Sequence, residues 1–138
     1  DCLFKGNAIE NAHQRGIIVH GTHQSTVEAN VLWGVRGAGI YIEDANEMQN
    51  HIMYNVFICP WKLDDPTLHG CTVPGTSNRE GDTRINHAGI YSLSSSNDLV
   101  GNRVANTMNG MFLQAGGIGR GTAQGKVCTS DAAFGRWE

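Results

Sequence analysis

The chain has 138 residues, which suffices for one domain around one continuous core. Its net charge of −3, its low content of charged residues (17%) and the absence of Lys or Arg runs argue against a nucleic-acid partner. No apolar stretch reaches the roughly 20 residues of a membrane-spanning helix, so membrane insertion is not expected.

Two short patterns recur along the chain and predict its fold. The first, apolar-x-x-Asn-x-apolar, occurs at 4–9, 27–32, 52–57 and 99–104. The second, Gly followed by a short, mostly apolar run, occurs at 16–20, 39–43, 89–93 and 110–114. Successive asparagines lie 23, 25 and 47 residues apart, and successive glycines 23, 50 and 21. Leucine-rich repeats have a similar period, but their leucine consensus is missing here. We therefore predict an all-β fold, a right-handed parallel β-helix of about five to six coils. It is predicted to form a single domain over residues 1–138.

The asparagines of the first pattern are predicted to stack in one column at a bend of the coils. These residues are Asn7, Asn30, Asn55 and Asn102. Their amides can hydrogen-bond from coil to coil, as in the Asn ladders of stacked strands. The alternative is that Asn occurs there only because it favours turns.

The Gly-led strands sort into columns by their period of two. Two columns are predicted to face the core: Ile17, Ile40, Ile90 and Met111, and then Val19, Ile42, Ser92 and Leu113. An aromatic stripe is predicted to face outward as a ligand or partner face: Ile18, Tyr41, Tyr91 and Phe112. This stripe could stack on sugar rings, or it could be covered by a partner subunit or by the 59–85 segment. We favour the covered arrangement.

The doubled step falls on residues 59–85, which contain all three prolines and are predicted to form a long loop or one irregular coil. Cys59 and Cys71 bracket its first half and are predicted to form a disulfide. Cys2 and Cys128 would form the second pair, or each would bond a neighbouring chain. Four buried free thiols are the alternative.

The two ends of the predicted β-helix lack an amphipathic capping helix. A β-helix end exposes an unpaired ladder edge, which natural proteins cover. We therefore expect neighbouring parts of a longer chain, or other subunits, to cover these ends. Residues 132–137 are predicted to start a further coil.

One run of the sequence resembles a known family. Val-His-Gly-Thr-His at 19–23, followed by Gly-Ile-Tyr-Ile-Glu-Asp-Ala-Asn-Glu at 39–47, is similar to the parallel β-helix region of fibrocystin-like and cell-migration-inducing hyaluronidase-like proteins. Ala45 stands where that family has Gly, and the family's Gly-rich G8 module is absent. The resemblance covers about residues 2–114 and implies a secreted or cell-surface β-helix. Some members bind or depolymerise hyaluronan, and others are structural.

The strongest candidate chemistry is a His–carboxylate cluster. His20 and Glu43 fall one coil apart in one outward column, with Asp44 beside them, and could run acid–base chemistry on a glycan. Glu43, Asp44 and Glu47 could instead bind a divalent cation. The favoured interpretation is a structural pair without catalysis.

Two functions follow from these patterns. The favoured one is an extracellular structural or interaction module that associates with itself or with neighbouring domains, in a surface filament or coat. The alternative is a module that binds or cleaves a polysaccharide of the hyaluronan type. Enzymatic activity is not favoured, and no cofactor is expected.

Overall fold

The computed structural model describes residues 1–43, 47–60, 71, 88–107, 109–113 and 138. Twelve short strands and no helix occur in this part of the chain. Val and Ile recur in the strands, as expected of residues that pack well on a pleated surface.

The strands form three parallel sheets of four strands each. The first sheet contains β1 (Leu3–Lys5), β4 (Thr26–Glu28), β7 (His51–Met53) and β10 (Asp98–Val100). The second sheet contains β2 (Ala8–Glu10), β5 (Val31–Trp33), β8 (Val56–Ile58) and β11 (Arg103–Ala105). The third sheet contains β3 (Ile17–Val19), β6 (Ile40–Ile42), β9 (Ala88–Ser92) and β12 (Asn109–Leu113). The chain visits the sheets in rotation, which is the path of a β-helix and confirms the predicted all-β, parallel β-helical fold. The described residues form four strands in each sheet, and the predicted count of five to six coils stays a prediction.

The doubled step adds no coil between the neighbouring ones. β7 pairs directly with β10, β8 with β11, and β6 with β9. β8 and β9 are therefore successive strands of one coil, and residues 61–70 and 72–87, on which most of the predicted 59–85 loop falls, lie outside the described residues. On the edge of β10 that faces away from β7, the backbone carbonyl of Glu138 accepts a hydrogen bond from the Gly101 amide (2.8 Å). The backbone amide of Glu138 donates a hydrogen bond to the Leu99 carbonyl (2.8 Å). Residues 132–137, predicted to start a further coil, also lie outside the described part.

One disulfide joins Cys59 to Cys71, as the sequence predicts. Both cysteines are buried, and the carbonyl of Cys71 accepts a hydrogen bond from the Gly37 amide at 2.7 Å. The disulfide therefore fixes Cys71 against the coil below. Cys2 is a free, exposed thiol in this structure, and Cys128, the partner predicted for it beside the alternative of a bond to a neighbouring chain, lies outside the described residues.

The core contains one inward column from each of the first two sheets and two columns from the third. The largest fully buried apolar side chains are Leu32, Ile40, Ile42, Ile52 and Val35. The two core columns predicted for the third sheet are buried in β3, β6 and β9, including Ser92, whose hydroxyl donates to the Ser94 carbonyl at 2.6 Å. The prediction is wrong for Met111, which is 42% exposed, and Leu113 is only half-buried. Their strand, β12, lies at the edge of its sheet and pairs on one side only among the described strands.

Three of the four glycines of the second sequence pattern are required by close packing between coils. A Cβ atom on Gly39 would lie 2.7 Å from the Gly89 carbonyl oxygen and 2.8 Å from the Phe57 ring. Gly16 and Gly89 are similarly confined. At these three positions the second sequence pattern therefore marks a point where neighbouring coils leave no room for a side chain.

Candidate functional site

His20 and Glu43 follow β3 and β6, and the register of those strands brings them together. Because Val19 pairs with Ile42, the next residues of the two coils are neighbours. His20 Nδ1 lies 3.5 Å from Glu43 Oε2, and the two side chains are 57% and 32% exposed. The predicted pair therefore exists, and it lies on the surface.

The acidic residues after Glu43 do not extend this pair into a metal site. Asp44 lies outside the described residues. Glu47 is fully buried, and its Oε1 accepts a hydrogen bond from the Gly21 amide at 3.1 Å. Within the described ranges, no group of three or more His, Cys, Asp or Glu side chains is arranged to hold a metal ion. Glu47 is thus part of the packing between two coils, and the proposed cation site gains no support.

The aromatic stripe is an ordered stack. The Tyr41 and Tyr91 rings lie 4.8 Å apart and nearly parallel, and Phe112 stacks on Tyr91 at 5.4 Å. The guanidinium of Arg15 lies 3.8 Å from the centroid of the Tyr41 ring. A cation over an aromatic face is attracted by the ring quadrupole, so Arg15 extends the stack by one coil.

This stack is not an open surface. Tyr41 and Tyr91 are only 6% and 3% exposed, and they pack with Ala38 and Ala88 in a second hydrophobic cluster. Ile18, the first member of the stripe, is exposed. The expectation of an outward aromatic binding face is therefore wrong for the tyrosines, whereas the favoured expectation of a covered stripe agrees with their burial.

The predicted asparagine ladder, formed by Asn7, Asn30, Asn55 and Asn102, is present. Each Oδ1 from Asn30 onward accepts two hydrogen bonds from the preceding asparagine, one from its backbone N–H and one from its Nδ2, at 2.9–3.0 Å. The Nδ2 atoms of Asn30, Asn55 and Asn102 also donate to the carbonyls of Phe4, Val27 and Ile52, respectively, one coil earlier, at 3.0, 3.0 and 2.7 Å.

A second ladder was missed by the sequence analysis. The Ser25 amide donates to Asn50 Oδ1 (3.0 Å), and the amide and Nδ2 of Asn50 both donate to Asn97 Oδ1 (3.0 and 2.9 Å). These residues precede Asn30, Asn55 and Asn102 by five positions each. That constant offset is a signal in the sequence that could have identified the second ladder. It lies where the chain enters the first sheet.

Among the described residues, no strand pairs with the outer edge of the first coil. β1, β2 and β3 lie at the edges of their sheets, with a partner on one side only among the described strands. Phe4 occupies the core column of the first sheet but is 40% exposed, whereas Val27 and Ile52 in the same column are buried. Leu3 is exposed as well. This end presents apolar side chains together with unpaired strand edges.

In the part of the chain that the structure describes, there is no helix that is long and apolar enough to cross a membrane.

Comparisons with known proteins agree with the fold. Fibrocystin-L of Mus musculus is 37% identical over 54 residues, and that of Homo sapiens 35% over 54; each match covers 39% of this chain and 1% of the relative. Protein rliB of Dictyostelium discoideum is 27% identical over 107 residues, covering 74% of this chain and 9% of that protein. The chain thus spans a small fraction of these relatives. No solved structure matches it.

The family comparison covers nearly the whole chain. The family model described as the CEMIP beta-helix matches residues 1–131, which include all twelve strands. The chain therefore belongs to the CEMIP beta-helix family.

Proposed function

We propose that the chain is an extracellular structural module, a rigid β-helical segment that joins further β-structure end to end. The observation that carries this proposal is the exposure of Phe4, in a core column, beside strands that pair on one side only among the described residues. A half-exposed Phe4 in a core column is unfavourable in water, because burying a Phe side chain contributes roughly 1.5–3 kcal/mol. A further coil stacked on this end would bury it.

The hydrogen bonds of the first asparagine ladder are incomplete at Asn7, among the described residues. Asn7 Nδ2 donates to the Lys5 carbonyl of its own coil (3.1 Å), whereas the later asparagines donate to the preceding coil. Asn7 Oδ1 accepts no hydrogen bond from the described residues, although every later ladder Oδ1 accepts two. An added coil with Asn at this position would complete the pattern.

An extracellular location is supported by the Cys59–Cys71 disulfide and by the family. Disulfides persist in oxidising compartments and are rare in the cytosol. Both sulfurs are buried, so the bond belongs to the packed structure and is not an exposed, exchangeable one.

Electron microscopy combined with light scattering tests end-to-end joining. We expect the purified chain to form rods whose length grows with concentration, because a head-to-tail contact repeats without closing. The Phe4→Glu variant should remain short, since it places a charge in the contact. It should melt at nearly the wild-type temperature, because Phe4 is 40% exposed in the single chain.

Met48→Glu is the matched control, because Met48 is 41% exposed but belongs to none of the N-terminal strands. It should associate as the wild type does. A wild-type chain that stays monomeric at all concentrations, or a Phe4→Glu chain that still forms rods, would contradict the proposal.

A second candidate function is polysaccharide binding or cleavage at the exposed His20–Glu43 pair. The support for this function is the 3.5 Å separation of an imidazole and a carboxylate on the surface. The buried tyrosines add none. Glycoside cleavage usually needs two positioned carboxyl groups, and the pair supplies one.

Paired substitutions separate this second function from a structural role. His20→Ala and Glu43→Gln should each abolish hyaluronan binding or turnover while the melting temperature stays unchanged. If both substitutions only lower the melting temperature, or if the wild type neither binds nor cleaves the polymer, the second function is lost.

A further inference from the structure

The outer face of the second sheet is an apolar surface that the sequence analysis did not identify. Two neighbouring columns of this face point away from the core: Ala8, Val31, Val56 and Arg103 in one, and Glu10, Trp33, Ile58 and Ala105 in the other. Val31 is 47% exposed and Trp33 is 43% exposed. We call these eight residues the second-sheet face. Six of them are apolar and contiguous: Val31, Trp33, Ala8 and Ala105 are exposed, and Val56 and Ile58 are half-buried. A contiguous apolar group of this kind is unusual on the outer face of a sheet.

The two charged residues of the second-sheet face lie at opposite corners. Glu10 is in β2, at the N-terminal edge of the sheet, and Arg103 is in β11, at the other edge. Three inter-strand spacings separate these edges, or roughly 14 Å along the β-helix axis. Both side chains are exposed, and neither forms an ion pair or side-chain hydrogen bond with another described residue. Lys5 and Glu28, by contrast, pair with each other on the first sheet at 3.0 Å.

We propose that the second-sheet face binds a second copy of this chain in an antiparallel, face-to-face dimer. A two-fold axis in the plane of contact, parallel to the strands, reverses the β-helix axis of the second copy. Trp33 then faces Ile58 of the second copy, and Val31 faces its Val56. Glu10 lies beside Arg103 of the second copy, and Arg103 beside its Glu10.

The charges of the second-sheet face favour a second copy of this chain as its partner. In a two-fold contact, the same surface of each copy meets itself. Each charged residue of that surface therefore needs an opposite charge elsewhere on the same surface. The second-sheet face meets this condition, because it contains one acid and one base at opposite ends of an apolar centre. A parallel arrangement of the two copies would place like charges at each end instead. The apolar area is small compared with that of a permanent dimer, so a reversible one is expected.

Charge reversal tests the dimer by sedimentation equilibrium over about 10 µM to about 1 mM. We expect the chain that carries Phe4→Glu and is otherwise wild type to approach twice the mass of one chain, because it does not form rods. Glu10→Arg and Arg103→Glu should each weaken the dimer at least about tenfold, since each turns two attractive contacts into repulsive ones. Trp33→Ala should weaken it by a similar factor, because a large aromatic at the centre of a contact contributes most to affinity.

Mixing the Glu10→Arg chain with the Arg103→Glu chain is the most direct test of the dimer. When the Glu10→Arg chain meets the Arg103→Glu chain, both corner contacts pair an acid with a base. The mixture should therefore dimerise within about threefold of the wild type, while neither variant does so alone. Met48→Ala, which removes an exposed apolar side chain outside this face, is the control and should leave the dimer unchanged.

This dimer is independent of the end-to-end contact. A two-fold dimer closes at two chains, whereas rods grow, and the comparison is repeated in the Phe4→Glu background to remove rods. The inference is overturned if that background stays monomeric, if single reversals dimerise like the wild type, or if the mixture fails to recover. It is also overturned if Trp33 proves necessary for binding hyaluronan while the chain remains monomeric.

Discussion

At the scale of single residues, the stacked asparagines combine two roles. Each begins a bend, and the residue before it adopts a left-handed conformation, with φ of 70°, 54°, 56° and 63° at Gly6, Ala29, Tyr54 and Gly101. Each asparagine then satisfies polar groups of two coils through its amide. Buried polar groups are costly without hydrogen bonds, so the ladder allows the chain to turn inside a packed structure.

Replacing an interior asparagine of the first ladder should lower the free energy of unfolding substantially. Asn55→Ala deletes the acceptor of two bonds from Asn30 and the donor to Val27 and Asn102, and leaves the buried Asn30 amide without its acceptor. We expect a loss of about 2–4 kcal/mol in the free energy of unfolding, measured by denaturant titration. Asn7→Ala, at the uncovered end, is the control and should lose less than about 1 kcal/mol. Equal losses would show that the ladder residues act only as turn formers.

At the scale of strands and sheets, the spacing of the repeats predicted the parts of the structure that depend on coil length alone. The ladder of Asn7 through Asn102 and the inward columns of the third sheet follow from a constant period. The second ladder could also have been predicted, since Ser25, Asn50 and Asn97 repeat at the same steps.

Burial of outward side chains could not be predicted in the same way. Strand alternation states which side of a sheet a residue occupies, but not whether that side meets water. Tyr41 and Trp33 both point away from the core of the coils, yet Tyr41 is buried and Trp33 is half-exposed. The difference depends on what packs over each sheet, such as Arg15 on Tyr41, and that packing has no periodic signature.

Close packing between the coils makes a prediction at this scale. Gly39→Ala would place a methyl group against the Gly89 carbonyl oxygen and the Phe57 ring. We expect a loss of about 1–3 kcal/mol in the free energy of unfolding, because the backbone oxygen cannot move without disturbing the next coil. Gly110→Ala is the matched control: Gly110 follows the same pattern, and a Cβ atom there would meet nothing within 4 Å. Thermal unfolding of the two variants should differ, and identical melting temperatures would refute the packing explanation.

At the scale of the whole molecule, the described chain is a solenoid whose surfaces differ in kind. The N-terminal end exposes strand edges and the apolar side chains of Leu3 and Phe4. The second-sheet face exposes a flat apolar area with charged corners, and the third-sheet side buries its aromatic stack. Each surface therefore supports a different contact, and we propose that contact at the N-terminal end extends the backbone hydrogen bonding of the β-helix.

Hydrogen exchange at the N-terminal strands tests that central claim most directly. Thr26 and Val31 donate their amides to Cys2 and Asn7 of the preceding coil, and the equivalent amides of Leu3 and Ala8 point to the uncovered side. At low concentration, these two amides should exchange rapidly, while those of β4 and β7 are protected. When the chain associates, Leu3 and Ala8 should become protected while Trp33 keeps its exchange rate. If association leaves the Leu3 and Ala8 amides exchanging as fast as before, the N-terminal end is not where β-structure is joined.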